Sequence, residues 1–181
     1  MQNFAFGDAV ATDDRDPEQV AEYVRAHVGV VRRPAAGADY EFARDTHHRA
    51  FRDLVESQYG AWVDEQQDEL FESSWTAMPH EIILSNGVPC GYLCVEDRPG
   101  EVQLHELVLR PDSQGRGVGA AVLNAVIEHA RARRVPVRLR THRQNRAANL
   151  YRRIGFHQIG TADSHLVFEW SALDATSKPG S

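Results

Sequence analysis

Apolar residues recur at two different periods along this chain, and each change of period marks an element. Ala43, His47, Ala50, Phe51, Leu54, Val55 and Gln58 lie three and four apart, which predicts a helix capped by Asp39 and ended near Gly60. A further helix is expected to open at Asp64, with Gln67 completing a capping box. Leu70, Phe71, Ser74, Trp75 and Met78 share one of its faces. Alternation then takes over. Glu81 to Ser85 and Val88 to Glu96 read as strands joined by Asn86-Gly87, a strong hairpin turn signal. Asp97-Arg98-Pro99-Gly100 turns again, and Val102 to Leu109 forms the next strand. The helical period returns after Gly117 with Val122, Leu123, Val126, Ile127 and Ala130. Past Pro136, Val137 to Thr141 alternates as a strand. A short helix follows from about Arg146 to Ile154, with Gly155 at its C-terminal cap. Phe156 to Thr161 and His165 to Trp170 read as a closing antiparallel pair.

The two ends read differently. Asp16-Pro17-Glu18-Gln19 is a helix start, followed by Val20, Tyr23, Val24 and His27 on one face and stopped by Gly29. Val28 to Arg33 begins a strand that Pro34 stops. The expected organisation is an N-terminal extension with one helix over residues 1–27, a domain over residues 28–171, and a disordered tail over residues 172–181.

Composition narrows the class. At 181 residues, 42% apolar and 25% charged, the chain fits one globular domain with a real core. A net charge of −6 argues against nucleic acid and favours a cationic small molecule as partner. No apolar run reaches the length of a membrane span and no signal-peptide pattern is present, so no membrane role and a cytoplasmic setting are expected. Cys90 and Cys94 are the only cysteines, which excludes a disulfide framework. Alternation places both on one face of their strand, as small buried hydrophobes. Nine histidines show no ligand spacing, so no metal is expected. His47, inside an apolar helical stripe, reads as a packing residue.

The chemistry concentrates between Leu107 and Ala120. A strand ends at Arg110-Pro111, and Gln114-Gly115-Arg116-Gly117-Val118-Gly119 leads into the long helix. Free N–H groups at a helix start, the helix dipole, glycines that let backbone approach a ligand and the charge of Arg116 together suit an anion. The same glycines would also suit a plain tight turn. The phosphate-loop pattern fails for want of its lysine, and G-x-G-x-x-G is not matched.

This Q-G-R-G-V-G string resembles the Q/R-x-x-G-x-G/A signature of the GNAT superfamily of N-acetyltransferases. Further along, N-R-A-A-N-L-Y-R-R-I-G-F (Asn145 to Phe156) is similar to that family's second cofactor-side motif. Both occur in order and on the expected elements. The resemblance implies an α/β (α+β) fold with a mixed, mostly antiparallel central sheet flanked by helices on both faces. It implies acetyl-coenzyme A as co-substrate, with its pyrophosphate on the backbone of Gln114, Gly115, Arg116, Gly117, Val118 and Gly119. Leu107, Val108 and Leu109 would pair with the pantetheine arm beside a local splay in the sheet, where a main-chain N–H polarises the thioester carbonyl. Asn145 would hydrogen-bond the cofactor near its thiol end, although Asn is also a preferred helix cap. Tyr151 matches the tyrosine that protonates the departing thiolate.

An amine acceptor arrives protonated and needs a base. The central strand offers His105 and Glu106, of which strict alternation lets only one face the cleft. Glu106, sharing the parity of Leu104 and Val108, is the preferred base, with His105 or water as alternatives. The acceptor is expected to be a small-molecule amine; a non-catalytic acyl-coenzyme A binder and a protein or peptide acetyltransferase are the other readings. The segment from Tyr40 to Trp75, with His47, His48, Arg52, Tyr59, Trp62, Glu69, Glu72 and Trp75, would shape the acceptor site in no recognisable pattern. Sheet edges leave a homodimer open.

Overall fold

A hairpin seeds the sheet. Asn86 and Gly87 both take positive φ, 52° and 80°, as a two-residue turn between twisted strands requires. They join β2 (Glu81–Ser85) to β3 (Val88–Arg98), which pairs in turn with β4 (Glu101–Leu109). The computed structural model describes residues 29–171; the helix expected over 16–27 and the tail over 172–181 lie outside the described residues. The remaining strands are β1 (Val30–Pro34), β5 (Val137–His142), β6 (His157–Ala162) and β7 (His165–Trp170). Together they form a 7-stranded sheet in the order β1-β2-β3-β4-β5-β7-β6. Every neighbouring pair is antiparallel except β4 with β5.

The helices are α1 (Tyr40–Tyr59), α2 (Asp64–Ala77), α3 (Val118–Arg133) and α4 (Ala147–Ile154). Their apolar stripes build separate cores. Val122, Leu123, Val126, Ile127 and Ala130 of α3 pack with Ala147, Leu150 and Tyr151 of α4 on the sheet residues Leu104, Leu107 and Leu109. Ala43, Phe51 and Phe71 of α1 and α2 pack on Ile82, Tyr92 and Val108. Val108 alternates with Leu107 and Leu109, so the clusters cover opposite faces of the sheet, as expected for this fold class.

Bulges change two expectations. Cys94 pairs with Glu106 and Val95 with Leu104, leaving His105 as an extra residue in β4. Strict alternation therefore fails: Leu104 and Leu107 share the α3 face, while Glu106, one step from Leu107 and directly opposite Cys94, takes the α1–α2 face with Val108. Likewise Ile83 pairs with Gly91 and Leu84 with Pro89, so Cys90 is extra in β3. Cys90 enters the α3-side core, whereas Cys94, two residues from Tyr92, faces the other layer. The cysteines lie on opposite faces. Both are free and buried.

The helix starts also differ in detail. Asp39 precedes α1 without a side-chain cap. Its carboxylate instead takes both Arg33 amino groups at 2.7 Å and the Ala36 N–H at 2.8 Å. Asp64 is the first helical residue rather than the cap, and accepts from Trp62 Nε1 at 2.8 Å. The Arg33 hydrogen bonds, against the opposing effect of burial, hold the Asp39 carboxyl down to about 2. A carboxyl whose folded value is depressed contributes stability that is present above its unfolded value and lost as pH falls. We therefore expect the melting temperature to fall between about pH 4 and pH 2 through this group. Asp39→Asn should flatten that part of the profile, measured by thermal denaturation across the acid range.

Gly91 marks the tightest approach in the sheet. A Cβ there would lie 2.3 Å from the Val108 carbonyl oxygen and 2.7 Å from a Leu109 methyl. Backbone must shift to admit it, and overpacking of this kind costs about 1–3 kcal/mol. Gly91→Ala should lower the melting temperature accordingly; an unchanged melt would contradict this packing.

Candidate active site

The two halves of the sheet part at its centre. β4 and β5 pair only at Val102–Val137, Gln103–Arg138 and Leu104–Leu139. Beyond Leu104, β4 continues to Leu109 paired with β3 alone, while β5 continues to His142 paired with β7. A splay opens between them, where the sequence places Leu107, Val108 and Leu109. All three are buried.

The glycine turn closes one end of this splay. After a short 3-10 turn, Pro111–Ser113, the chain passes through Gln114 and reaches α3 with Gly115 at φ 68° and Gly117 at φ 80°. That left-handed backbone favours glycine, and it leaves α3 without a side-chain cap, so its first N–H groups stay available. Gly117, Val118 and Gly119 are buried in the turn, and Gly115 and Arg116 are exposed. Gln114 also braces the turn. Its Nε2 donates to the Leu109 carbonyl at 3.0 Å, which staples turn to strand.

Across the splay, Asn145 is 7% exposed. Its Oδ1 accepts the Ala147 N–H at 2.9 Å, as a helix cap does, while its Nδ2 is buried with no partner. A cavity of about 370 Å³ runs between Gln114 on one side and Gln144, Asn145 and Arg146 on the other, with Arg49, Asp53 and Ser57 of α1 forming its wall. An unspent buried donor in a cavity wall is costly without a ligand.

Glu106 and His105 have separate surroundings. His105 Nε2 lies 2.9 Å from Glu96 Oε2, within a half-exposed charge network on the sheet surface. Glu106 is 5% exposed, roofed by α2, and accepts the Ser74 hydroxyl hydrogen. Tyr92 hydrogen-bonds it too, and burial, with this carboxylate beside it, pushes the Tyr92 phenol well above its usual range. Burial and then the same charge push Cys94 up to about 12. His47 packs against Phe51 and Phe71, its Nδ1 3.3 Å from the Tyr92 hydroxyl. Burial brings it down to about 3, so it is neutral at ordinary pH, as expected of a packing residue. Tyr151 lies on the other side of the sheet, 1% exposed, its ring against Phe156 and Phe168. The sheet thus brings the proposed base and acid to the central strands from opposite faces rather than side by side.

Residues 47–156, from α1 through α4, match the family described as Acetyltransferase (GNAT) family. The chain belongs to this family. The matched span holds the glycine turn, Glu106, Asn145 and Tyr151. Among relatives, the GNAT chain is 34% identical over 83 residues to an uncharacterized N-acetyltransferase of Methanocaldococcus jannaschii, covering 40% of this chain and 36% of that one. It is 32% identical over 91 residues to N-alpha-acetyltransferase RimI of Mycobacterium tuberculosis, covering 46% of this chain and 57% of that one. The match therefore spans about a third to just over half of these curated relatives. The fold is also that of the PaiA N-acetyltransferase of Thermoplasma acidophilum, solved in complex with coenzyme A. The two share a TM-score of 0.65 at 15% identity, over 79% of this chain and 99% of that one. Among the described residues of this GNAT chain, no group of three or more His, Cys, Asp or Glu could hold a metal, and no helix is long and apolar enough to cross a membrane.

Sequence reasoning missed Ser74 and Gln144 as parts of the site. Ser74 shares a helical stripe with Phe71 and Trp75, and a serine on such a stripe carries no signal of its own. Its meaning comes from Glu106, which lies 32 residues away.

Proposed function

We propose that this chain is an N-acetyltransferase that moves the acetyl group of acetyl-coenzyme A to a primary amine by direct attack. The observation that carries this reading is the pair of unspent donor sets facing one splay: the uncapped N–H groups at Gly117–Gly119 and the buried Nδ2 of Asn145. Acetyl-coenzyme A, when bound, supplies an activated thioester and an anionic pyrophosphate. The backbone from Gln114 to Gly119, with Arg116, would hold the anion at the positive end of α3. Leu107, Val108 and Leu109 would offer to the pantetheine arm the backbone groups that β5 leaves unpaired. A main-chain N–H on this strand would stabilise developing negative charge on the carbonyl oxygen. Asn145 would direct its free amide hydrogens to the cofactor.

Glu106 is the base in this reading. Ser74 donates to Oε1, and the carboxylate takes up the amine proton. Tyr151, from the far face of the sheet, would deliver the proton that the leaving sulfur requires. Each such proton transfer typically contributes about 10²–10⁴-fold.

The acceptor in this reading is a cationic small molecule of polyamine type, supported by the net charge of −6. A free peptide N-terminus is the second reading, favoured by the likeness to a protein named N-alpha-acetyltransferase RimI. The experiment is a panel of polyamines, aminoglycoside-like amines, acidic amines and short peptides with acetyl-coenzyme A, followed by free-thiol release. Thiol release with polyamines is expected. Release with acidic amines alone would overturn the acceptor class, release with peptides alone would establish the second reading, and no release with any amine would leave a binding module.

A further inference from the structure

Beneath α2 lies a buried pair that the reaction above leaves half used. His80 follows Pro79 at the entry to β2, and its side chain is 2% exposed against 6% for that of Glu106. His80 Nδ1 lies 2.8 Å from the Met78 carbonyl oxygen. A carbonyl only accepts, so Nδ1 is the nitrogen that carries the hydrogen. In the neutral ring Nε2 then presents a lone pair. Nε2 is buried without a hydrogen-bond partner and faces Glu106 Oε2 at 3.8 Å. The Trp75 ring stacks on the imidazole at 4.4 Å and Tyr92 meets it edge-on at 5.9 Å, so its orientation is fixed. Two acceptors face each other in a dry layer, lacking only a proton between them.

We infer that His80 and Glu106 form one proton-holding pair, with His80 a positioning residue whose Nε2 accepts a hydrogen bond from the proton that Glu106 takes from the acceptor amine. This rests on the acetyl-transfer reading. The ammonium N–H bond breaks and an O–H bond forms at Oε2, the carboxylate oxygen that faces His80. That hydrogen then lies in an O–H···N contact with His80, and the proton returns to solvent once the product has left. Protonated Glu106 can donate to Nε2 where the carboxylate cannot, so His80 favours the state that follows proton uptake. Of the other ionisable groups around the pair, Tyr92 and Cys94 on β3 are neutral through burial. His47 on α1, neutral as well, touches the Tyr92 hydroxyl. Glu81 and Glu96 act on the same corner from the side of Cys94.

Imidazole NMR on the full 15N-labelled chain tests the pair without any acceptor. The expected result is hydrogen on Nδ1 of neutral His80 and an Nε2 signal whose titration midpoint moves to lower pH in Glu106→Gln, where no carboxylate shares the proton. A hydrogen on Nε2 of the neutral ring, or an unmoved midpoint, would overturn the pair. Kinetics test its use. His80→Asn places an amide near the position of Nδ1, keeping the Met78 contact and removing Nε2. With the amine that gives the fastest thiol release, the acid limb of kcat should move down by roughly one pH unit, a tenfold loss of proton affinity. Acetyl-coenzyme A affinity should stay at the parent value. A purely structural His80 predicts a parent-like pH profile, and that outcome would also overturn the proposal. Should no amine release thiol, the acetyl-transfer reading fails, while the NMR titration still decides whether the two side chains share a proton.

Discussion

Tyr151→Phe is expected to lower kcat by about 10²–10⁴-fold while acetyl-coenzyme A affinity stays at the parent value. The substitution removes one hydroxyl and keeps the ring that packs on Phe156 and Phe168. If that hydroxyl acts only as the leaving sulfur departs, kcat and kcat/KM fall together. A packing role makes the opposite prediction: kinetics near the parent, with a lower melting temperature if the hydroxyl satisfies a buried partner. Steady-state kinetics and a melting curve on this variant separate the two. A kcat within about threefold of the parent would leave proton delivery to water, because a general acid contributes far more than that.

Gly117→Val should weaken acetyl-coenzyme A binding at least tenfold, or about 1.4 kcal/mol. Two effects act together here. Gly117 sits at φ 80°, where a β-branched residue is strained by roughly 1–3 kcal/mol. Its side chain would also stand before the free N–H groups of α3 that the pyrophosphate is proposed to use. The strain lowers the melting temperature, whereas the obstruction lowers affinity, and Gly117→Asn distinguishes them. Asparagine tolerates left-handed backbone, so it should melt close to the parent yet still bind weakly. Calorimetric titration giving parental affinity in both variants would remove the anion from this turn.

What the sequence made legible follows from what local physics controls. Periodicity located the helices and strands because each buries one face, and Asn86-Gly87 fixed the hairpin through the positive φ of both residues. The glycine turn and Asn145 were readable for a similar reason: helix starts expose N–H groups wherever they occur. Bulges were not readable. Nothing in Leu104-His105-Glu106-Leu107 announces an extra residue, since it is the pairing with Cys94 and Val95 that creates it. Strict alternation therefore put Glu106 beside Leu104, and the fold puts it on the opposite face. Asp39 and Asp64 show the same limit at helix starts. Both have the right residue type near the right place, yet one carboxylate goes to Arg33 and the other to Trp62. The roof over Glu106 was invisible because Ser74, His80 and Tyr92 come from separate elements that only the fold brings together.

The narrow join between β4 and β5 has a mechanical consequence. One half-sheet, β1 to β4, and the other, β5 to β7, pair strand to strand only at Val102, Gln103 and Leu104, and past that seam β4 and β5 no longer pair with each other. A co-substrate whose arm lies along β4 would act as a substitute strand, so folding and loading become linked equilibria. Amide hydrogens of the His105–Leu109 stretch that β3 does not engage should exchange readily in the empty protein and slowly in the loaded one. At a hundredfold excess over Kd, such linkage adds about 2.7 kcal/mol to the stability of the whole chain. On the proposed reading, resistance of this protein to unfolding and proteolysis tracks the acetyl-coenzyme A available to it.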